Sequence, residues 1–95
     1  MKVYVTAVII SKPEFLLKVK SVLEDMVVKT RKETACIQYD LHQNLEDENV
    51  FVFYEIWQDK QGLDKHNEQT YIKDFGKIAV DKLNGNLVIY LMEKI

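Results

Sequence analysis

Residues 50–57, VFVFYEIW, are apolar on both alternating faces of what must be a β-strand: Phe51, Phe53 and Trp57 on one side, Val50, Val52, Tyr54 and Ile56 on the other. The segment LVIYLM at 87–92 repeats the pattern, with Leu87, Ile89 and Leu91 opposed to Val88, Tyr90 and Met92. A chain of 95 residues has room for one hydrophobic core, so its helices can cover only one face of such a sheet. The other face would be a contiguous apolar patch of a kind monomers rarely leave in water. The expectation is a homodimer packed sheet to sheet about a two-fold axis. Each side chain buried there contributes roughly 1.5–3 kcal/mol before association costs.

The remaining segments fall around these two strands. KVYVTAVII (2–10) is a strand by its β-branched content. SKPE then reads as a helix start, with Ser11 as cap, Pro13 in the first turn and Glu14 completing a capping box. Phe15, Leu16, Val19, Val22, Leu23, Met26 and Val27 recur at helical spacing, and the helix is predicted to run to about Lys32 or Glu33. CIQYDLHQ alternates, with Ile37, Tyr39 and Leu41 facing one way and Gln38, Asp40 and His42 the other; the polar NLEDEN turn joins it to the two-sided strand as a hairpin. Asp59 can cap a short helix carrying Leu63 and His66, and Ile72, Phe75, Ile78, Ala79 and Leu83 mark a further helical stripe that NGN (84–86) ends. The order β-α-β-β-α-β predicts an α+β, ferredoxin-like domain over 1–95, a four-stranded antiparallel sheet with helices on one face.

Several function classes are disfavoured. The formal net charge of −2 argues against nucleic-acid binding. The cluster Lys18, Lys20, Lys29, Arg31 and Lys32 is interleaved with Glu24, Asp25 and Glu33, as on a solvated helix face. Cys36 is the single cysteine, which excludes an internal disulfide and a cysteine-based zinc site. No stretch has the length of a membrane span and the N-terminus lacks a signal-peptide pattern, so a cytoplasmic protein without membrane association is expected. His42 and His66 lie in separate elements, and no phosphate-loop, dinucleotide-binding or nucleophile-elbow pattern occurs, so no metal and no cofactor is expected.

The residues that could carry chemistry converge on one face. Glu55 shares its side of the strand with Phe53 and Trp57. A carboxyl group in an apolar layer must find hydrogen bonds or have its pKa raised, so Glu55 is either a general base or substrate anchor, or a structural glutamate. Trp57 can line a pocket for a flat ring or simply fill the core. His66, three residues after Leu63, belongs on the inward stripe, as proton handler or as a satisfied structural histidine. Tyr71 and Tyr39 offer phenols to the same space. From the residues alone the expectation is a dimeric α+β domain with an aromatic interior cavity, and no assigned reaction.

The stretches TRKETACIQYDL and FVFYEIWQDKQGLDKHN resemble the antibiotic biosynthesis monooxygenase family, including its small quinol monooxygenases. Arg31, Glu33, Cys36, Tyr39, Leu41, Glu55, Trp57 and His66 carry the likeness, which spans essentially the whole chain. It implies dimers of ferredoxin-like subunits forming a shared α+β barrel, with a ligand pocket between sheet and helices. It also implies cofactor-independent oxidation of a quinol or phenolic substrate by molecular oxygen, the substrate phenolate supplying the electrons. The residues so implicated are His66, Glu55 and Trp57 as the catalytic set, with Tyr39, Phe53, Leu63 and Tyr71 against the substrate. Three departures limit the likeness. Ala35 stands where glycine is usual, and Tyr71 where many members carry a second histidine. Phe53 and Leu63 replace the asparagine and tyrosine of members acting on polycyclic antibiotic precursors. Ala7, His66 and Gly76 stand at the haem-degrading branch's positions, so that activity is not implied. Isomerisation or processing of a small oxygenated metabolite, and a non-catalytic aromatic-ligand-binding stress module, are the rival readings.

Overall fold

The computed structural model describes all 95 residues. Four strands, β1 (Val3–Ile10), β2 (Cys36–Gln43), β3 (Val50–Trp57) and β4 (Val88–Met92), form one sheet in the order β2-β3-β1-β4, and every neighbouring pair is antiparallel. Helices α1 (Leu16–Thr30), α2 (Lys60–Asn67) and α3 (Thr70–Lys82) complete the ferredoxin-like arrangement. No helix is long and apolar enough to cross a membrane.

Three local expectations are corrected. Ser11 does not cap α1. It is buried, pairs with Leu83 in an isolated bridge, and its hydroxyl donates to the Lys12 carbonyl at 2.9 Å, while Pro13 opens a short 3-10 turn ahead of the helix. Helix α1 stops at Thr30, and residues 31–35 turn back on themselves through Lys32 N–H to Lys29 O and Glu33 N–H to Thr30 O. Ile37 does not share a face with Tyr39. A β-bulge between Cys36 and Gln38 inserts one residue, so Cys36 stands opposite Trp57, Tyr39 opposite Glu55, and Ile37 is left 50% exposed. That extra residue is what aims Tyr39 into the core.

The core lies where the helical stripe meets the inner sheet face. Val19, Leu23, Met26 and Thr30 recur along α1 and are all buried, facing Val5, Ala7 and Ile9 of β1 and Phe51, Phe53 and Trp57 of β3. The helices leave β4 uncovered. Its inward residues Ile89 and Leu91 remain about half exposed (52% and 51%), although they pair with the buried Ala7 and Val5. On the opposite side Tyr4, Thr6, Val8, Ile10, Val50, Val52, Tyr54, Ile56, Val88, Tyr90 and Met92 form an apolar field with no helix over it. The accessible surface of 6241 Å² for 11.2 kDa is about a tenth above the roughly 5,700 Å² expected of a monomer of that mass.

One close approach sets the seat of α2. Asp59 caps the helix, accepting from Gly62 N–H at 2.7 Å, and Gln58 N–H bonds to the Ala35 carbonyl at 2.9 Å. A Cβ on Gly62 would stand 2.3 Å from the Ala35 methyl. Gly62→Ala is therefore expected to destabilise the fold by about 1–3 kcal/mol, although alanine is the better helix former by about 1 kcal/mol. Ala35→Gly in the same chain should restore most of the loss, because the clash needs both methyl groups. Urea unfolding midpoints of the two single variants and the double variant measure this coupling.

Candidate functional site

Strand β3 turns Phe51, Phe53, Glu55 and Trp57 inward, and all four are buried. Trp57, fully enclosed, donates its indole Nε1–H to Glu55 Oε1 at 2.9 Å. The second Glu55 oxygen receives no hydrogen bond from the protein, and Glu55 lines an interior cavity. Burial pushes the Glu55 carboxyl up to about 7; the Trp57 hydrogen bond opposes the shift and the Glu33 charge adds to it. Near neutral pH this group exchanges between acid and carboxylate, as a proton-transfer group must.

The same shift has a consequence for stability. Between the unfolded value of 4.5 and the folded value of about 7 the native state binds more protons than the unfolded chain, so stability falls as pH rises through that window. The integrated loss is up to about 3 kcal/mol. In Glu55→Gln this fall should disappear, and unfolding free energies measured at pH 5 and pH 8 should converge relative to the parent chain.

His66 sits on the inward side of α2 with Leu63. Its Nδ1 lies 2.8 Å from Glu33 Oε2. A carboxylate only accepts, so Nδ1 carries the hydrogen and Nε2 is left with its lone pair; the tautomer is assigned from this partner. Burial pulls the imidazole below its ordinary pKa, with the hydrogen bond and charge of Glu33 opposing. Rings enclose it: Trp57 at 4.5 Å, Tyr39 at 5.6 Å and Tyr71 at 6.4 Å between centroids. The Tyr39 phenol is pushed far up, first by burial and then by the Glu55 charge, and remains a neutral O–H.

The cavity encloses about 330 Å³ between the inner sheet face and the helices, and opens along the uncovered β4. Tyr39, Phe53, Glu55 and His66 line it, with Ile72 and Phe75 of α3 and Ile89 and Leu91 of β4 as its apolar walls. Trp57 and Leu63 do not line it, contrary to the sequence reading: both are packed behind its wall, Trp57 against Glu55 and His66. Tyr71 does not reach it either. Its hydroxyl donates to Glu33, and its ring faces a separate outer cleft. Glu33, which the sequence reading placed on a solvated helix face and within the family likeness but gave no role, thus becomes the residue that joins His66 to Tyr71. Cys36 stays out of the chemistry: burial, then the charges of Glu33 and Glu55, push its thiol up to about 11. No group of three or more His, Cys, Asp or Glu side chains is placed to hold a metal ion.

Against this geometry the comparisons with known proteins are decisive for kinship. The profile of the antibiotic biosynthesis monooxygenase family matches residues 2–77. The chain belongs to the antibiotic biosynthesis monooxygenase family. YcnE of Bacillus subtilis (strain 168), provisionally described as a monooxygenase, is 33% identical over 82 residues, which is 86% of each chain. The uncharacterized protein sll1783 of Synechocystis is 28% identical over 60 residues, 63% of this chain but 41% of that protein's length. A crystal structure described as an antibiotic biosynthesis monooxygenase superposes with a TM-score of 0.92 at 29% identity, covering 98% of both chains. The family and these descriptions support a monooxygenase-like function for the chain.

Proposed function

We propose that this member of the antibiotic biosynthesis monooxygenase family oxidises a quinol or phenolic aromatic molecule with molecular oxygen, without a cofactor. The observation that carries the reading is the pairing of Glu55 and His66 at one apolar cavity. Its 330 Å³ is at the small end of ligand sites, suited to one or two fused rings. Phe53 and Tyr39, packed on one another with ring centroids 4.6 Å apart, give the cavity an aromatic wall suited to a planar ligand.

The chemistry balances within substrate and oxygen. His66 Nε2 takes a phenolic proton, and the resulting phenolate passes one electron to oxygen. Recombination forms a carbon–oxygen bond and a hydroperoxide. Loss of the ring C–H proton and cleavage of the oxygen–oxygen bond then release water, the leaving oxygen taking a proton from the acid form of Glu55. A quinol thereby loses four electrons, becomes a hydroxyquinone, and one oxygen atom is retained. Trp57 holds Glu55 in place through its indole N–H. We further propose that the chain is a cytoplasmic homodimer joined through the bare sheet face.

Oxygen uptake on adding a reduced quinone in metal-free buffer, with one oxygen molecule consumed per quinol and no peroxide released, is the expected result. Turnover of a hydroxy-ketone without oxygen uptake would instead favour an isomerase, which the same acid–base pair could also serve. Ring binding without turnover across a quinol panel would leave a binding module.

A further inference from the structure

We infer that His66 and Glu33, with the Tyr71 hydroxyl pinning the Glu33 carboxyl group, form a hydrogen-bonded relay that carries protons between the apolar cavity and the outer polar cleft, with Glu33 as its proton-accepting outer member. The inference shares His66 with the function proposed above, but its own test needs no substrate. Two spaces adjoin this cluster and no residue lines both. His66 lines the apolar cavity, while Glu33 and Tyr71 line a cleft of about 380 Å³ with Lys29, Lys32 and Lys65. The His66–Glu33 hydrogen bond of 2.8 Å is therefore a polar link from one to the other. The His66 side chain is 5% exposed and that of Glu33 13%, so the two ends differ in their access to water as a relay requires.

The same Glu33 oxygen accepts from both His66 Nδ1 and the Tyr71 hydroxyl, which fixes the carboxyl group in the wall between the spaces. Tyr71 is held in turn, with the Lys29 ammonium 5.8 Å over its ring. The groups facing His66 are Glu33 from the turn after α1, Tyr39 from β2, Glu55 and Trp57 from β3, and Tyr71 from α3. Tyr39 stays protonated, and Glu55 lies on the cavity side. Among them Glu33 alone combines a hydrogen bond to the imidazole with a place in the cleft wall. Thr30 Oγ1, buried close to both phenols, is in hydrogen-bond geometry with neither and adds no competing partner to Glu33.

The proton count closes. A proton entering at Nε2 releases the one on Nδ1 to Glu33 Oε2, and Glu33 gives it up to water in the cleft. The imidazole is left with its hydrogen on Nε2. Return of a proton from the cleft to Nδ1, with loss of the Nε2 proton to an acceptor in the cavity, restores the first tautomer. The proton taken up at Nε2 thus leaves by way of the polar cleft rather than through the apolar cavity.

Nitrogen-15 NMR of the ligand-free protein tests the relay directly. The expected result is a neutral His66 protonated at Nδ1, whose proton exchanges with water at least tenfold more slowly in Glu33→Gln, since the amide accepts the hydrogen bond but takes up no proton. A His66 protonated at Nε2 in the parent chain would overturn the relay, as would equal exchange in parent and variant. Should Glu33→Gln not fold, Glu33→Asp, which withdraws the carboxyl by one methylene, must slow exchange likewise, and the parent tautomer remains decisive by itself. Phenolate absorbance of added 4-nitrophenol reports on the cavity separately. The NMR signature without phenolate formation would support the relay and count against the proposed substrate class.

Discussion

Replacing His66 with glutamine is expected to lower quinol-dependent oxygen uptake by about 10²–10⁴-fold, the usual contribution of a positioned general base. Glutamine fills much of the same space and can still donate to Glu33, so the loss should appear in kcat and leave ring binding largely intact. His66→Ala should lose as much turnover and also stability, because the Trp57 ring at 4.5 Å would lose a packing partner. Cys36→Ala should leave uptake unchanged, its thiol being held at about 11 and thus protonated. The pH profile of kcat/KM separates the two titrating groups. His66 is pulled below its ordinary value, so the base form persists into mildly acidic solution and activity falls only below that. The proton donor is lost as pH rises through about 7, where Glu55 ionises, which gives an alkaline limb. In Glu55→Gln that limb should vanish while the acidic limb stays. An unchanged alkaline limb would remove Glu55 from the proton-donor role.

The residues made the architecture legible and the wiring of the site much less so. Element order followed from periodicity, since the α1 stripe and the two-sided strands leave few ways to hide their apolar atoms. Glu55, Trp57 and His66 stand out because polar or bulky groups on an apolar face need a reason. The bulge at Ile37 was hidden, because a single inserted residue leaves a run of alternation that reads equally well in the wrong register. Ser11 misled through a locally sound capping box; the bridge to Leu83, more than seventy positions away, overrode it. Glu33 was hidden for a different reason. Charged residues crowd the end of α1, and only the turn at 31–35 distinguishes the one beneath His66 from its solvated neighbours. Trp57 and Glu55 occupy the same sheet face as expected, yet only Glu55 lines the cavity, because the indole is packed beneath α2 against His66.

Placing lysine at Val8 is expected to dissociate the proposed sheet-to-sheet pair. Val8 lies at the middle of the bare face, with Val52 of β3 on one side and Val88 of β4 on the other. Within one subunit the change costs little, because a lysine stem can lie over these valines with its ammonium in water. In the proposed pair, an ammonium group from each subunit would be buried in this apolar seam. An uncompensated buried charge costs about 3–5 kcal/mol, so the dissociation constant should rise by about two orders of magnitude or more. The polar end of the same face argues for this centre: Gln38, Asp40 and His42 lie on β2, whereas Val8, Val88, Tyr90 and Met92 gather on β1 and β4. Sedimentation velocity over a concentration series, with circular dichroism to verify folding, distinguishes the outcomes. A parent chain that is monomeric at tens of micromolar would overturn the pair, and a Val8→Lys chain that still pairs would place the seam elsewhere. Ring binding should weaken along with the pair, because β4 serves both: Tyr90 and Met92 lie on its outer face, while Ile89 and Leu91 on its inner face wall the cavity. A five-residue edge strand freed from its partner holds that wall less firmly.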